Sequence, residues 1–104
     1  MVRSRLVLGL VALNFEWDPQ KAAKNLAKHG ISFQEAESVF GDGLGRITTD
    51  PRHSADEERY VLLGVSCQQR LLAVMFAERG KAIRLISARR ATPRERRDYE
   101  KGTS

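Results

Sequence analysis

The sequence has few of the residues that cross-link small domains or bind metals. It contains one cysteine, Cys67, and two histidines among 104 residues. One cysteine excludes an intramolecular disulfide framework, and the sequence has no CxxC or paired Cys/His spacing of the kind that zinc sites use. We therefore expect a protein without a cofactor or metal ion, in a reducing, cytoplasmic setting.

Apolar runs long enough for a membrane helix are also lacking. The N-terminal apolar run, residues 6–13, follows Arg3 and Arg5 and so imitates a secretory signal. It is too short for a membrane span, and polar residues follow it without a small-x-small cleavage site. We expect residues 1–14 to form a leader or an extra strand, and residues 15–104 to form a single domain around one core.

Positive charge is concentrated towards the C-terminal end. The formal net charge is +5, and residues 79–104 hold nine Lys and Arg against three Asp and Glu. The other residues hold nine basic and ten acidic side chains. This distribution is typical of a surface for a phosphate backbone or an acidic partner protein, although a solvated charged tail explains the same composition.

Two early helices are indicated by their end signals. Asp18 is a favoured N-cap with a proline after it, and Gly30 is a favoured stop, which predicts a helix over Pro19–His29. Ser32 and Glu35 have the spacing of a capping box. They predict a second, short helix that ends at the glycines at 41 and 43.

The chain between residues 45 and 91 changes to β-rich runs separated by short turns. These runs predict four strands, at Arg46–Asp50, Tyr60–Cys67, Leu71–Ala77 and Ile83–Ala88. The last three are joined by hairpin-length turns, which predicts an antiparallel meander with central strands that are apolar on both faces. The two helices would cover one face of this sheet.

A third helix is predicted from Pro93 to about Lys101, because Thr92 and Glu95 form another capping box. Tyr99 is its only plausible apolar anchor, so we expect this basic helix to stay undocked until a partner holds it. The predicted fold class is α+β, with two N-terminal helices packed on a curled antiparallel β-sheet and a basic C-terminal helix.

Several stretches, in one order over residues 15–100, match the pattern of a known family. They are Phe15-Glu16-Trp17-Asp18-Pro19, Lys28-His29-Gly30-Ile31-Ser32-Phe33, Glu35-Ala36, Val39-Phe40, Asp50, His53, Glu57-Glu58-Arg59, Gly64, Arg70-Leu71-Leu72, Ile83 through Ala91, Arg94-Glu95-Arg96-Arg97 and Tyr99-Glu100. In these stretches the chain resembles the BrnT family of toxins, whereas residues 1–14 have no counterpart in the family pattern.

The resemblance implies a RelE-like ribonuclease toxin of a type II toxin–antitoxin system. Such a toxin is an endoribonuclease that cuts RNA without a metal ion and arrests translation. The resemblance also implies neutralisation by a BrnA-type antitoxin that binds promoter DNA, so that the toxin meets this DNA only through the complex, where it can form a dimer.

Cleaving RNA without a metal requires a base for the 2′-OH proton, an acid for the 5′-oxygen and cations for the pentavalent phosphate. His53 lies in a polar loop and is either a proton carrier or merely exposed. His29 precedes the stop glycine, where the helix dipole explains a cation without any catalytic role. Carboxylates near Asp50 leave metal-assisted cleavage as a less favoured alternative.

Two arginines interrupt and end the last predicted strand. Arg84 and Arg89 fall on opposite faces of a regular strand, so they share one concavity only if a bulge or bend intervenes. Arg89, beside Arg90, is the preferred phosphate clamp, since a guanidinium can bind two phosphate oxygens at once. Arg84 is either an RNA contact or the structural partner of Glu58.

Other candidates have an equally simple structural explanation. Glu58 and Arg59 could orient a base and bind phosphate, or could form a cross-strand ion pair. A stripe of lysines on the first helix is either solvated or extends an RNA path. The predicted site residues are Arg89, His53, Glu58 and Arg59 for catalysis, Lys24, Lys28, His29, Arg84 and Arg90 for RNA binding, and Arg94, Arg97 and Tyr99 for antitoxin binding.

Two functions are consistent with these features. The first is a ribonuclease toxin whose basic sheet face holds RNA. The alternative is a non-catalytic module that binds nucleic acid or a partner protein and acts in transcriptional autoregulation. The basic C-terminal end serves both functions, so cleavage of RNA is the observation that separates them.

Overall fold

A computed structural model describes residues 1–52 and 57–103. The chain begins with a hairpin of two strands, continues through two helices and four further strands, and closes with a helix. The elements are β1 (Val2–Leu8), β2 (Val11–Trp17), α1 (Pro19–His29), α2 (Phe33–Ser38) with a short 3-10 turn (Val39–Gly41), β3 (Arg46–Thr49), β4 (Arg59–Val65), β5 (Leu71–Arg79), β6 (Ala82–Arg90) and α3 (Pro93–Thr103).

The six strands form one mixed sheet in the order β1-β2-β6-β5-β4-β3. The predicted α+β class and the antiparallel β4-β5-β6 meander are confirmed. The prediction of a wholly antiparallel sheet is wrong, because β2 pairs in parallel with β6. The two helices are also not N-terminal, since the β1–β2 hairpin precedes them. The curl of the sheet stays a prediction.

The predicted helix ends are set by local capping. Asp18 accepts a hydrogen bond from the backbone of Gln20, and Gly30 ends α1 with a left-handed φ of 71°. Ser32 caps α2 through the backbone N–H of Glu35. The Glu35 carboxylate does not complete this capping box, because it binds Arg70 and Ser66 instead. The buried Glu35 side chain therefore makes tertiary contacts to the β4–β5 turn instead of a local cap of its own helix.

Helices α1 and α2 pack on one face of the sheet, which we call the helix face, as predicted. The core of this layer is apolar and includes a perpendicular contact between Trp17 and Phe33 at 5.9 Å. The opposite face, which we call the arginine face, has a floor formed by Leu63, Ala73 and Met75, and α3 packs on part of it. Because β5 has apolar residues on both faces, Leu71 to Ala77 are all buried.

One side of β6 loses its strand neighbour, because β2 pairs with β6 only as far as Arg84. The buried side chain of Asn25 from α1 takes the place of a neighbouring strand. Its oxygen accepts from the backbone N–H of Ala88 at 3.0 Å, and its nitrogen donates to the carbonyls of Ala88 and Ile31 at 2.9 Å. A side-chain amide can satisfy both backbone groups, since it carries a donor and an acceptor.

Helix α3 is docked on the sheet, and the expectation of an undocked helix is wrong. The Tyr99 hydroxyl donates to Asp42 at 2.7 Å, and its ring packs on the apolar floor of the arginine face. Arg46 donates to the carbonyl of Asp98 at 2.7 Å. The predicted capping box at Thr92 and Glu95 is present in both directions. In the part of the chain that the structure describes, every helix falls short of what crossing a lipid bilayer needs.

Candidate functional site

Three neighbouring strands bring two arginines to one point of the arginine face. Arg59 of β4 pairs with Ala77 of β5, and Ala77 pairs with Arg84 of β6. The two arginine backbones therefore lie about 10 Å apart, which is two strand spacings. Ala77 has too small a side chain to separate them, so both guanidinium groups can reach the space above it.

Glu57 lies between these two guanidinium groups. Its carboxylate oxygens are 3.5 Å from Nη1 of Arg84 and 3.8 Å from Nε of Arg59. These distances are long for charge-assisted hydrogen bonds, which are usually about 2.7–2.9 Å. The buried Nε of Arg59 has no hydrogen-bond partner in the described structure. The Arg59–Glu57–Arg84 cluster is thus loosely held and partly exposed, with unused hydrogen-bonding capacity.

Arg70 is an arginine with a structural role, and its hydrogen bonds can be compared with those of Arg59 and Arg84. Its guanidinium makes short hydrogen bonds to both oxygens of the buried Glu35 and a longer one to the carbonyl of Gly30. The hydrogen bond from Arg70 lowers the pKa of Glu35 and outweighs burial, which acts to raise it, and Ser66 adds a further lowering contact. Arg70 donates three hydrogen bonds to protein groups, whereas among the described residues Arg84 has one long hydrogen bond and Nε of Arg59 has none.

A β-bulge places Arg84 and Arg89 on the same face. Met75 pairs with Ser87 and Phe76 pairs with Leu85, so Ile86 is an extra residue in β6. The extra residue reverses the alternation of side chains beyond it, which is the condition under which the two arginines share one face. The predicted conflict between their strand positions is resolved in this way.

Arg89 lies further along the sheet from the Arg59–Glu57–Arg84 cluster. It pairs with Ala73, four residues from Ala77 along β5, which is about 13 Å. Its Nη atoms donate to both oxygens of Glu95 at 2.7 and 3.1 Å. Arg89 lowers the pKa of Glu95, against the effect of burial. The predicted phosphate clamp therefore connects β6 to α3 in this structure, and a phosphate would have to compete with Glu95.

The predicted RNA-binding lysines lie next to the bulge. Lys24, Lys28 and His29 of α1 line a shallow cavity of about 220 Å³ together with Ile86 and Ser87. The lysine stripe therefore borders the arginine face at the edge of β6. Arg90 lies elsewhere, because it pairs with Leu72 on the helix face and its charge acts on Glu35.

The remaining predicted residues are more dispersed. Glu58 is exposed, and Arg84 pairs with Glu57 instead of with Glu58. Arg94 and Arg97 are exposed on α3, whereas Tyr99 faces the sheet. His53 lies outside the described residues. Within residues 1–52 and 57–103, no group of three His, Cys, Asp or Glu side chains is arranged to hold a metal ion.

Sequence reasoning missed Glu57 as a member of the site. The signal was its position two residues before Arg59, because alternate residues of an extended chain share a face. It also gave no role to Arg3, Arg5 and Asn25. An amide side chain on the inward side of an amphipathic helix must form hydrogen bonds when it is buried. This rule could have identified Asn25 from the sequence as a residue that binds the sheet.

Comparisons with known proteins give consistent results. The family model described as the ribonuclease toxin BrnT of type II toxin–antitoxin systems matches residues 17–95. The crystal structure of the ribonuclease toxin BrnT from Brucella abortus is 30% identical in sequence, with a TM-score of 0.55, and the similarity covers 75% of this chain and 95% of that one. A search of curated proteins gave no match. The family match begins at Trp17, so β1 and most of β2 lie outside it.

Proposed function

The chain belongs to the BrnT family of ribonuclease toxins of type II toxin–antitoxin systems, and we propose that it cuts RNA on its arginine face without a metal ion. The observation that carries this proposal is the Arg59–Glu57–Arg84 cluster. Two guanidinium groups that share one loosely bound carboxylate form a site in which a phosphate can replace that carboxylate.

The proposed reaction begins when the scissile phosphate binds Arg59 and Arg84. Glu57 is then released from its ion pairs and accepts the proton of the 2′-hydroxyl. The 2′-oxygen bonds to phosphorus, the bond to the 5′-oxygen breaks, and a proton is delivered to that leaving oxygen. The products are a 2′,3′-cyclic phosphate and a 5′-hydroxyl, and the two arginines stabilise the charge of the pentavalent phosphate.

Other predicted residues have supporting roles in this proposal. His53 is the proposed proton donor to the leaving oxygen, and Glu58 the proposed residue that orients it. Arg89 is proposed to bind a flanking phosphate in exchange for Glu95. Lys24 and Lys28 border the same face and would guide the RNA across the β6 edge by charge.

The test is incubation of the purified chain with total RNA in EDTA. Arg59→Ala, Arg84→Ala and Glu57→Gln should each lower the rate of cleavage by about 10²–10³-fold, because each removes charge stabilisation or proton transfer from the transition state. Arg89→Ala and His53→Ala test the supporting roles. Arg96→Ala, on exposed α3, is the control that removes one positive charge outside the cluster.

Each alternative has its own outcome. Wild-type rates in both Arg59→Ala and Arg84→Ala would place the chemistry elsewhere. Loss of cleavage on adding EDTA would exclude the metal-free mechanism. RNA that is retained in a salt-dependent manner but stays intact would favour the non-catalytic binding module. Intact RNA followed by cleavage in the presence of ribosomes would indicate ribosome-dependent cutting.

We also propose the partners that the family implies. A BrnA-type antitoxin would bind the toxin in the cytoplasm, and promoter DNA would be reached only through that complex, in which the toxin can be dimeric. The exposed Arg94 and Arg97 of α3 are the proposed contacts. Tyr99 is enclosed by the sheet, so it would contact the antitoxin only after α3 moved, and otherwise acts by holding α3 in place.

A further inference from the structure

The strand β1 places two more arginines on the arginine face. Arg3 pairs with Glu16 of β2, and Glu16 pairs with Arg84 of β6. Directly paired residues of neighbouring strands point to the same face of a sheet. One row of side chains therefore runs across five strands from Arg3 through Arg84 to Arg59, over about 19 Å.

The next row repeats this arrangement. Arg5 pairs with Asn14, Asn14 with Ala82, and Ala82 with Arg79. Arg5 therefore lies on the same face as Arg79. The two rows together form a surface of five arginines separated by Glu16, Asn14, Ala77 and Ala82.

Contacts on the other side of β1 fix this orientation. Ser4 donates to the carboxylate of Glu37 on α2 at 2.8 Å, and Val2 and Leu6 pack against the core of the helix face. Because side chains alternate along a strand, Arg3 and Arg5 must point to the arginine face. Rotating β1 to hide them would expose the apolar residues and break the contact with Glu37.

Both of these arginines are available to a ligand. Arg3 and Arg5 are exposed, and neither side chain has an ion pair or hydrogen bond with any residue that the structure describes. Glu16 is the strand partner of Arg3, and its carboxylate lies 3.8 Å from Arg79. Within the described residues, Arg3 and Arg5 have no ion pair of their own on β1 or β2.

We propose that β1 extends the RNA-binding face, with Arg3 and Arg5 binding backbone phosphates of single-stranded RNA beyond the point of cleavage. The inference rests on the proposed function, which provides the RNA and its position at Arg59 and Arg84. Two exposed arginines without ion pairs to the described residues, next to the loosely paired Arg59 and Arg84, suit a polyanion, because phosphate contacts need charge but no apolar pocket. The family match begins after β1, so this extension is a feature that the matched region does not contain.

Binding to an oligonucleotide that cannot be cleaved tests this inference. The probes are 2′-O-methyl RNA of about 4 and about 16 nucleotides, because single-stranded sites span this range. The Arg3→Gln/Arg5→Gln variant should bind the longer probe more weakly, and the slope of log affinity against log salt should fall by about 1.4 for two lost phosphate contacts. Affinity for the short probe should stay within about twofold.

The controls separate this inference from the proposed function. Arg3→Gln and Arg5→Gln are each compared with Arg96→Gln, which removes the same charge from α3, and equal thermal unfolding verifies that the fold is kept. If the β1 variants match Arg96→Gln on the long probe, or lose affinity equally for both probes, the inference is wrong. That result leaves the proposed function intact if Arg59→Ala and Arg84→Ala still lower the rate of cleavage as expected. Wild-type cleavage rates in those two variants would overturn the proposed function without changing the measured affinities.

Discussion

At the scale of single residues, three of the arginine–carboxylate arrangements differ in geometry. Arg70 and Glu35 have a buried carboxylate and several hydrogen bonds, which suits a structural link between the β4–β5 turn and α2. Arg89 and Glu95 form a bidentate pair that ties β6 to α3. Of these three, the Arg59–Glu57–Arg84 cluster is the one with long contacts and partial exposure, and it differs from the Arg79–Glu16 pair in having two arginines on one carboxylate. Geometry, and not residue type, therefore distinguishes a candidate site from a structural pair.

Glu35→Gln tests the structural pair. The pKa of Glu35 is lowered from its ordinary value of 4.5, chiefly by the hydrogen bond from Arg70. A carboxylate with a lowered pKa contributes stability above its unfolded pKa, and this contribution is lost as the pH falls through the folded value. At pH 7 the substitution should lower the free energy of unfolding by about 2 kcal/mol, because a hydrogen bond to a charged group usually contributes about this much to stability.

The measurement is urea denaturation at neutral and acidic pH. The difference between wild type and Glu35→Gln should shrink as the pH falls below about 4.5, because the unfolded wild-type chain then binds a proton at Glu35 while the folded carboxylate, with its lowered pKa, stays charged to lower pH. Glu78→Gln is the control, since Glu78 is exposed. If the difference in the free energy of unfolding stays constant across this pH range, the loss of stability comes from altered packing and not from the lost negative charge.

At the scale of elements, α3 depends on one aromatic residue. Tyr99 is the apolar anchor of an otherwise polar helix, and its hydroxyl shares Asp42 with the backbone N–H of Val65. Partial burial acts to raise the pKa of Asp42, but the hydrogen bonds from Tyr99, Val65 and Leu44 together hold it below its ordinary value. The loop after α2, strand β4 and α3 are thus joined at one carboxylate.

Tyr99→Phe should weaken this connection by about 1 kcal/mol, because it removes one hydrogen bond but keeps the ring. The hydrogen bond to Asp42 raises the pKa of Tyr99 to about 12. The hydroxyl therefore contributes its full stability below pH 10, and loses it as the pH rises through about 12.

An alkaline absorbance titration checks this expectation. The tyrosinate transition near pH 12 should be missing in Tyr99→Phe. Tyr60→Phe is the matched control, because it removes the other tyrosine hydroxyl and keeps the ring that stacks on Phe76. Persistence of the transition in Tyr99→Phe would contradict the assigned hydrogen bond.

At the scale of the whole molecule, the two sides of the sheet differ in what they do. The helix face is closed by α1 and α2 and provides most of the apolar core. Among the described elements, α3 covers part of the arginine face, which continues across the sheet to β1. If RNA occupies this face, an antitoxin that binds outer α3 can act by covering the neighbouring RNA path or by holding α3 over it.

Arg94→Ala/Arg97→Ala tests the proposed antitoxin contact. Two exposed charges at the rim of an interface should contribute about 1 kcal/mol together, which is about fivefold in affinity. Titration calorimetry with a BrnA-type antitoxin measures the change. Arg52→Ala/Lys81→Ala removes the same charge from two loops and should bind as the wild type does. Equal affinity of both double variants would place the antitoxin on another surface.

The sequence alone determined the features that depend on residues close together in the chain. Asp18, Gly30 and Thr92 set helix ends through contacts within about four residues, so their patterns are readable without a fold. The runs that form β3 to β6 were likewise predicted to within a few residues, because β-branched and apolar residues are concentrated in them and short turn segments separate them. The family resemblance rested on the same local motifs.

Only the tertiary structure decided how distant parts meet. The parallel pairing of β2 with β6, the bulge at Ile86 and the strand-like role of Asn25 all depend on groups far apart in the chain. Side-chain faces reverse when a register changes by one residue, so no local pattern could place Arg84 with Arg89, or Arg3 with both. The candidate residues were therefore largely visible in the sequence, whereas their arrangement into one face was not.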